Sequence, residues 1–92
     1  MTVAERIREK LTAAFAPRHL DVVDDSARHK GHAGHRPEGE THFNVVIVSG
    51  VFEGKSRVER QRLVHAALDE ELKGPVHALS IKALAPVDHQ RM

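Results

Sequence analysis

The sequence predicts a single α+β domain, a three-stranded sheet with helices on one face. Three observations predict it. The chain has 92 residues, room for one hydrophobic core and no second. Apolar side chains recur at three- to four-residue steps in some segments and alternate in others, the signatures of helix and strand. Those segments run in the order helix, strand, strand, helical segment, helix, strand, and a helix layer on one sheet buries the apolar faces of both. Hydrophobic residues make up 40 % of the chain, and its three aromatics are all Phe. The core is therefore built from Val, Leu, Ile and Ala. A chain of this size buries about two-thirds of the surface its unfolded form exposes, so every element must contribute to that core.

Thr2 and Glu5 stand at capping-box spacing, and Val3, Ile7, Leu11, Ala14 and Phe15 follow at helical intervals until Pro17. After Pro17 the period falls to two, with Leu20 and Val22 apolar, until Asp24-Asp25-Ser26 ends the strand through side-chain to backbone bonds. Residues 25 to 41 hold three glycines and Pro37 but no apolar side chain larger than Ala. They predict a long loop, of the kind that is functional or mobile in a small domain. From His42 to Ser49, Phe43, Val45 and Ile47 alternate with Asn44, Val46 and Val48, a strand apolar on both faces and so central, paired with the first. Phe52-Glu53-Gly54-Lys55 predicts a turn. Ser56 and Glu59 repeat the capping-box spacing ahead of Val64, Ala67, Leu68 and Leu72, predicting a helix to Lys73 that Gly74-Pro75 ends. Val76 to Leu84 predicts the last strand, with His77, Leu79, Ile81 and Ala83 on its more apolar face. Residues 87 to 92 lack periodicity, so the expected division is a domain over 1–86 and a flexible C-terminal tail over 87–92.

Composition narrows the function classes. The chain has no cysteine, which removes a disulfide framework, a thiol nucleophile and any thiolate metal site of its own and suits the cytosol. Fourteen Lys and Arg against thirteen Asp and Glu give a net charge of +1, too balanced for whole-surface attraction to nucleic acid or anionic lipid. The longest strongly apolar run, Val45 to Val48, is far below the roughly 18 residues of a membrane span. The charged opening Glu5-Arg6-Ile7-Arg8-Glu9-Lys10 is unlike a secretory signal. The expectation is a soluble cytoplasmic protein without membrane contact. No Gly-x-Ser-x-Gly elbow, phosphate loop or His-Glu-x-x-His helix occurs, and Ser26 beside Asp24 and Asp25 does not make a triad, so the expectation is not an enzyme.

Eight histidines are the oddity, four of them within 29–42. His29, His32, His35 and His42 place several imidazoles in one short segment, and imidazole is the commonest protein metal ligand. The bland alternative is a solvated polar loop. His77, heading a strand where loops gather, is either a fifth candidate ligand or a satisfied rim residue. Separately, Lys55, Arg57, Arg60 and Arg62 cluster at the start of the second long helix, where outward amides favour phosphate. Glu53 and Glu59 halve that local charge, and the competing reading is an ordinary solvated helix face.

Five spaced motifs carry a resemblance. Asp24-Asp25-Ser26-x-x-His29, Thr41-His42-Phe43-x-Val45-x-Ile47-Val48-Ser49, Phe52-x-Gly54, Arg57-Val58-x-Arg60-x-Arg62 and Val76-His77-Ala78-Leu79-Ser80-Ile81 together resemble the BolA family from the first helix to about Pro86. The resemblance implies a fold similar to a class II KH domain. It also implies a regulator of stress response and cell shape that partners a monothiol glutaredoxin and shares a 2Fe-2S cluster with it and its glutathione. The alternative it implies is a DNA-binding transcription regulator acting through Lys55 to Arg62, and a third reading is a plain interaction domain. Carried over by position, His77 matches the C-terminal ligand histidine, and His29 and His42 match the region that supplies the second. With no cysteine, the thiolates would come from the glutaredoxin side, and histidine ligation would raise the cluster's potential as in Rieske centres. Two departures stand out. The loop is long and adds His32 and His35 as lesser candidates, and Gln61 replaces a histidine frequent between the two arginines.

Overall fold

The computed structural model describes residues 2–24 and 42–90. Helix α1 spans Val3–Phe15 and opens on the expected capping box, the Thr2 hydroxyl accepting from the Glu5 amide at 3.1 Å. It ends on Ala16 with φ 42°, a left-handed conformation for a residue with a Cβ, before Pro17 turns the chain into β1, His19–Asp24. Strand β2, His42–Val48, lies at the centre of a sheet ordered β1-β2-β3. It pairs with β1 as expected, in antiparallel direction with Val22 opposite Val45. The loop expected over 25–41 lies outside the described residues.

After β2, Ser49 is buried and donates to the Phe15 carbonyl at 2.7 Å while accepting from Val51, which starts a 3₁₀ turn over Gly50–Phe52. Phe52 enters the core against Phe15, ring centroids 5.1 Å apart. Helix α2, Arg57–Ala67, begins on the second capping box. The single helix expected to Lys73 is broken at Leu68, whose amide is shared between the carbonyls of Val64 and His65. A second short helix, α3, covers Asp69–Lys73. The three consecutive carboxylates Asp69, Glu70 and Glu71 favour a fresh helix start, where the dipole attracts negative charge.

Strand β3 is Ala78–Leu84, parallel to β2 with His42 opposite Ala78. It starts two residues later than expected. The Val76 amide is held by the Glu71 carbonyl at 3.0 Å and its side chain is buried, so Val76 belongs to the turn that ends α3. Residues 87–90, expected to begin a flexible tail, instead continue a short helix, α4, Pro86–Gln90. Proline at a first helical position is pre-set for helix, and Asp88 accepts from the Ala85 amide at 3.1 Å.

Ile7, Leu11, Phe15, Val22, Phe43, Val45, Ile47, Phe52, Val64, Leu68 and Val76 form the core between helices and sheet. Each large side chain buried there contributes about 1.5–3 kcal/mol relative to exposure. Within this core side the fully buried Glu71 stands out. Its two carboxylate oxygens meet Arg6 at 3.0 Å and Lys10 at 2.9 Å, binding α3 to α1. Burial opposes ionisation, but the Lys10 hydrogen bond, the helix backbone and both positive charges outweigh it and hold the carboxyl below its ordinary value.

Candidate functional site

The parallel register of β2 and β3 brings their N-terminal ends together, and with them two of the predicted histidines. His42 is the first residue of β2, half-buried, and its successor Phe43 is locked in the core. His77 follows buried Val76 and precedes Ala78, the strand partner of His42. The ring centroids of His42 and His77 are 6.5 Å apart with planes at 62°. His77 is exposed and does not join the half-buried face of Leu79, Ile81 and Ala83, so the expectation that it leads that face is not met. Core anchors on the neighbouring residues, Phe43 and Val76, fix both backbones while leaving the imidazoles at the rim.

Two imidazole nitrogens held at about 2 Å from one metal put their ring centroids roughly 5–6 Å apart, close to the spacing observed. The donor type suits zinc, copper or iron. Among the described residues no group of three or more His, Cys, Asp or Glu forms a metal site, and the pair supplies two nitrogen donors. His29, His32 and His35 lie outside the described residues.

The basic segment is differently disposed. Arg60 is not a free cation: its guanidinium donates to the carbonyls of Lys55 at 3.0 Å and Ala83 at 3.2 Å and to the Asp88 carboxylate at 2.9 Å. It fastens α2 to β3 and α4. Glu59 is held as a carboxylate below its ordinary value first by the Ser56 amide, then by the Ser56 hydroxyl and the charges of Lys55 and Arg62. The helix start therefore carries its own anion. Of the four predicted basic residues, Arg57 and Arg62 are exposed and Lys55 half-exposed. Gln61, unremarked as a site by sequence except as a departure, donates to the Ile81 carbonyl at 2.9 Å.

Comparison with known proteins decides the family. Residues 11–88 match the profile described as BolA-like protein. The chain belongs to the BolA family. Over 84 residues this BolA chain is 50 % identical to BolA-like protein 1 of Mus musculus, covering 91 % of itself and 58 % of that protein. Over 81 residues it is 48 % identical to the DNA-binding transcriptional regulator BolA of Escherichia coli, covering 88 % of itself and 73 % of the relative. In three dimensions it resembles the BolA domain of SufE1 from Arabidopsis thaliana, with a TM-score of 0.82 and 49 % identity over 92 % of this chain and 93 % of that one. The chain spans little more than half of the mouse relative and 24 % of the Arabidopsis SufE-like protein 1. The α+β fold reading stands. No helix among the described residues is long and apolar enough to cross a membrane.

Proposed function

We infer that this BolA protein is a cytoplasmic partner and regulator, not a catalyst, in stress response and cell shape. It shares a 2Fe-2S cluster with a monothiol glutaredoxin and its glutathione, and His77 and His42 are the nitrogen ligands from this side. The single observation that carries the reading is the His42–His77 pair, two imidazoles with ring centroids 6.5 Å apart at one exposed sheet end. When bound, such a cluster supplies a one-electron couple whose potential rises where histidine replaces thiolate. The residues of this chain bind and orient: Phe43 and Val76 anchor the two strand starts, and the parallel register keeps the rings adjacent.

The test is anaerobic reconstitution with a monothiol glutaredoxin, read by visible absorption and circular dichroism. His77→Ala and His42→Ala should each give an altered or short-lived spectrum, while His65→Ala, on the exposed end of α2, should match the parent. If both site variants keep the parent spectrum and lifetime, the ligand reading fails. If His29→Ala alters the spectrum and His42→Ala does not, His29 is the second ligand.

A second reading, DNA-binding regulation of transcription, is favoured by the likeness to the DNA-binding transcriptional regulator of Escherichia coli. Here it would rest on Lys55, Arg57 and Arg62, with Arg60 supporting the scaffold. Each phosphate contact removed by Arg57→Ala or Arg62→Ala should lower the salt slope of duplex affinity by about one. An unchanged slope in both variants removes this surface from the reading.

A further inference from the structure

Strand β3 is an edge of the sheet, and its free side forms one wall of a cleft of about 670 Å³. Lys55, Arg57 and Arg60 at the start of α2 line the other, and Asp88 of α4 lines the cleft as well. An open strand edge ordinarily presents alternating donors and acceptors and so invites another strand. This edge does not. The outward carbonyls of Ile81 and Ala83 are already taken by Gln61 and Arg60, at 2.9 and 3.2 Å. The amide and carbonyl of one strand residue point to the same side, so the Ile81 and Ala83 amides face the cleft with their acceptor neighbours masked.

The charges follow the same pattern. Lys55, Arg57 and Lys82 line the cleft and form no ion pair among the described residues. The one carboxylate, Asp88, accepts from Arg60 and from the Ala85 amide. The cleft therefore presents donors and cations almost exclusively. A peptide strand would bring N–H groups that find no acceptor. A ligand made of acceptors alone has no such conflict, and phosphate oxyanions are that ligand. No aromatic side chain lines the cleft, so a base attached to the phosphates would gain no stacking.

We propose that the cleft between β3 and the start of α2 binds a run of phosphate groups, recognised through the Ile81 and Ala83 amides and the cations Lys55, Arg57 and Lys82. The site lies along Ser80 to Leu84 and is separate from the histidine pair at the other end of the strand. The helix end itself is not the site, because Ser56 and Glu59 already cap it.

The experiment titrates the full chain at low salt with tripolyphosphate, ATP and a single-stranded oligonucleotide, by calorimetry and by amide shifts in nitrogen-15 spectra. Tripolyphosphate should move the Ile81 and Ala83 amides. Lys82→Ala and Arg57→Ala should each weaken it roughly tenfold, as the loss of a charge-assisted hydrogen bond does. Arg62→Ala and His77→Ala should not. ATP should bind no better than tripolyphosphate. A free-oligophosphate site prefers tripolyphosphate over the oligonucleotide at equal phosphate; the reverse preference, with the same variants and amides affected, assigns the phosphates to a nucleic-acid strand. The proposal is overturned if the Ile81 and Ala83 amides stay still, or if Arg62→Ala weakens binding as much as Lys82→Ala. Circular dichroism of each variant separates lost binding from lost folding.

Discussion

Replacing Arg6 and Lys10 together by methionine, which keeps their aliphatic stems on the surface, leaves the Glu71 carboxylate buried without a counter-charge. Glu71 has no solvent-exposed side-chain surface, whereas Arg6 and Lys10 are 39 % and 34 % exposed. The burden of the double change therefore falls on Glu71. It has two outcomes open to it, and both are costly. Staying charged costs about 3–5 kcal/mol, the usual loss when a buried pair is broken. Taking up a proton at pH 7, against an ordinary value of 4.5, costs about 3.4 kcal/mol at about 1.36 kcal/mol per pH unit. The expected loss at pH 7 is thus about 3 kcal/mol or more, a fall of roughly 1–3 M in the urea midpoint. Each single variant keeps one partner and should lose less than half of this.

The pH dependence supplies the sharper check. In the parent the folded-state value of Glu71 is lowered, so its contribution is present above 4.5 and is lost as pH falls through the lowered value. In the double variant only the backbone hydrogen bond still opposes burial, which is the largest effect, and the folded-state value rises. Stability then declines as pH climbs above 4.5, and the gap between parent and variant should widen from pH 5 to pH 7. A gap below about 1 kcal/mol, or one equal at both pH values, would refute the account of Glu71 as a buried charge held by α1.

Arg60→Ala should cost about 1–3 kcal/mol, because Ala83 and Asp88 each lose a donor; urea unfolding of Arg60→Ala, Asp88→Ala and the double variant should show a coupling between the two, and additive losses would deny it. Ala16→Gly should stabilise by about 0.5–1 kcal/mol, since glycine adopts φ 42° without the Cβ penalty; an unchanged or lower midpoint would mean the C-cap is not strained. His77→Ala should stay within about 0.5 kcal/mol of the parent, as surface changes do, so a large loss would recast His77 as structural. Gln61→Ala should cost about 1 kcal/mol and speed hydrogen exchange of the β3 amides, and equal exchange would remove Gln61 as an edge cover.

Much of the fold was legible because the signals were local. Both capping boxes, Thr2 with Glu5 and Ser56 with Glu59, formed as their spacing predicts, and the alternation from Phe43 to Ile47 placed the central strand. What failed was what depends on contacts between distant segments. The break at Leu68 and the burial of Glu71 have no signature in helical periodicity, since a carboxylate defaults to solvent and only α1 supplies its partners. Pro86 ahead of Asp88 was a readable helix start that the lack of apolar periodicity overrode. His42 and His77 were both candidates, yet their adjacency depends on a parallel register that spacing cannot encode. The role of Arg60 in the scaffold was hidden for a similar reason: four cations in one segment look alike until β3 and α4 claim one of them.

The parallel pairing of β2 with β3 also sets when the histidine site can exist. Parallel neighbours cannot be joined by a tight hairpin and need a crossover, here the 3₁₀ turn, α2 and α3. Such non-local pairings close late, after their loop entropy has been overcome. His42 and His77 are therefore far apart in every species that has not yet docked its last strand. A nascent or partly unfolded chain would hold His42 and His77 as separate donors, and only the completed domain would present these two as a pair. On the proposed reading, binding by this pair would report finished folding.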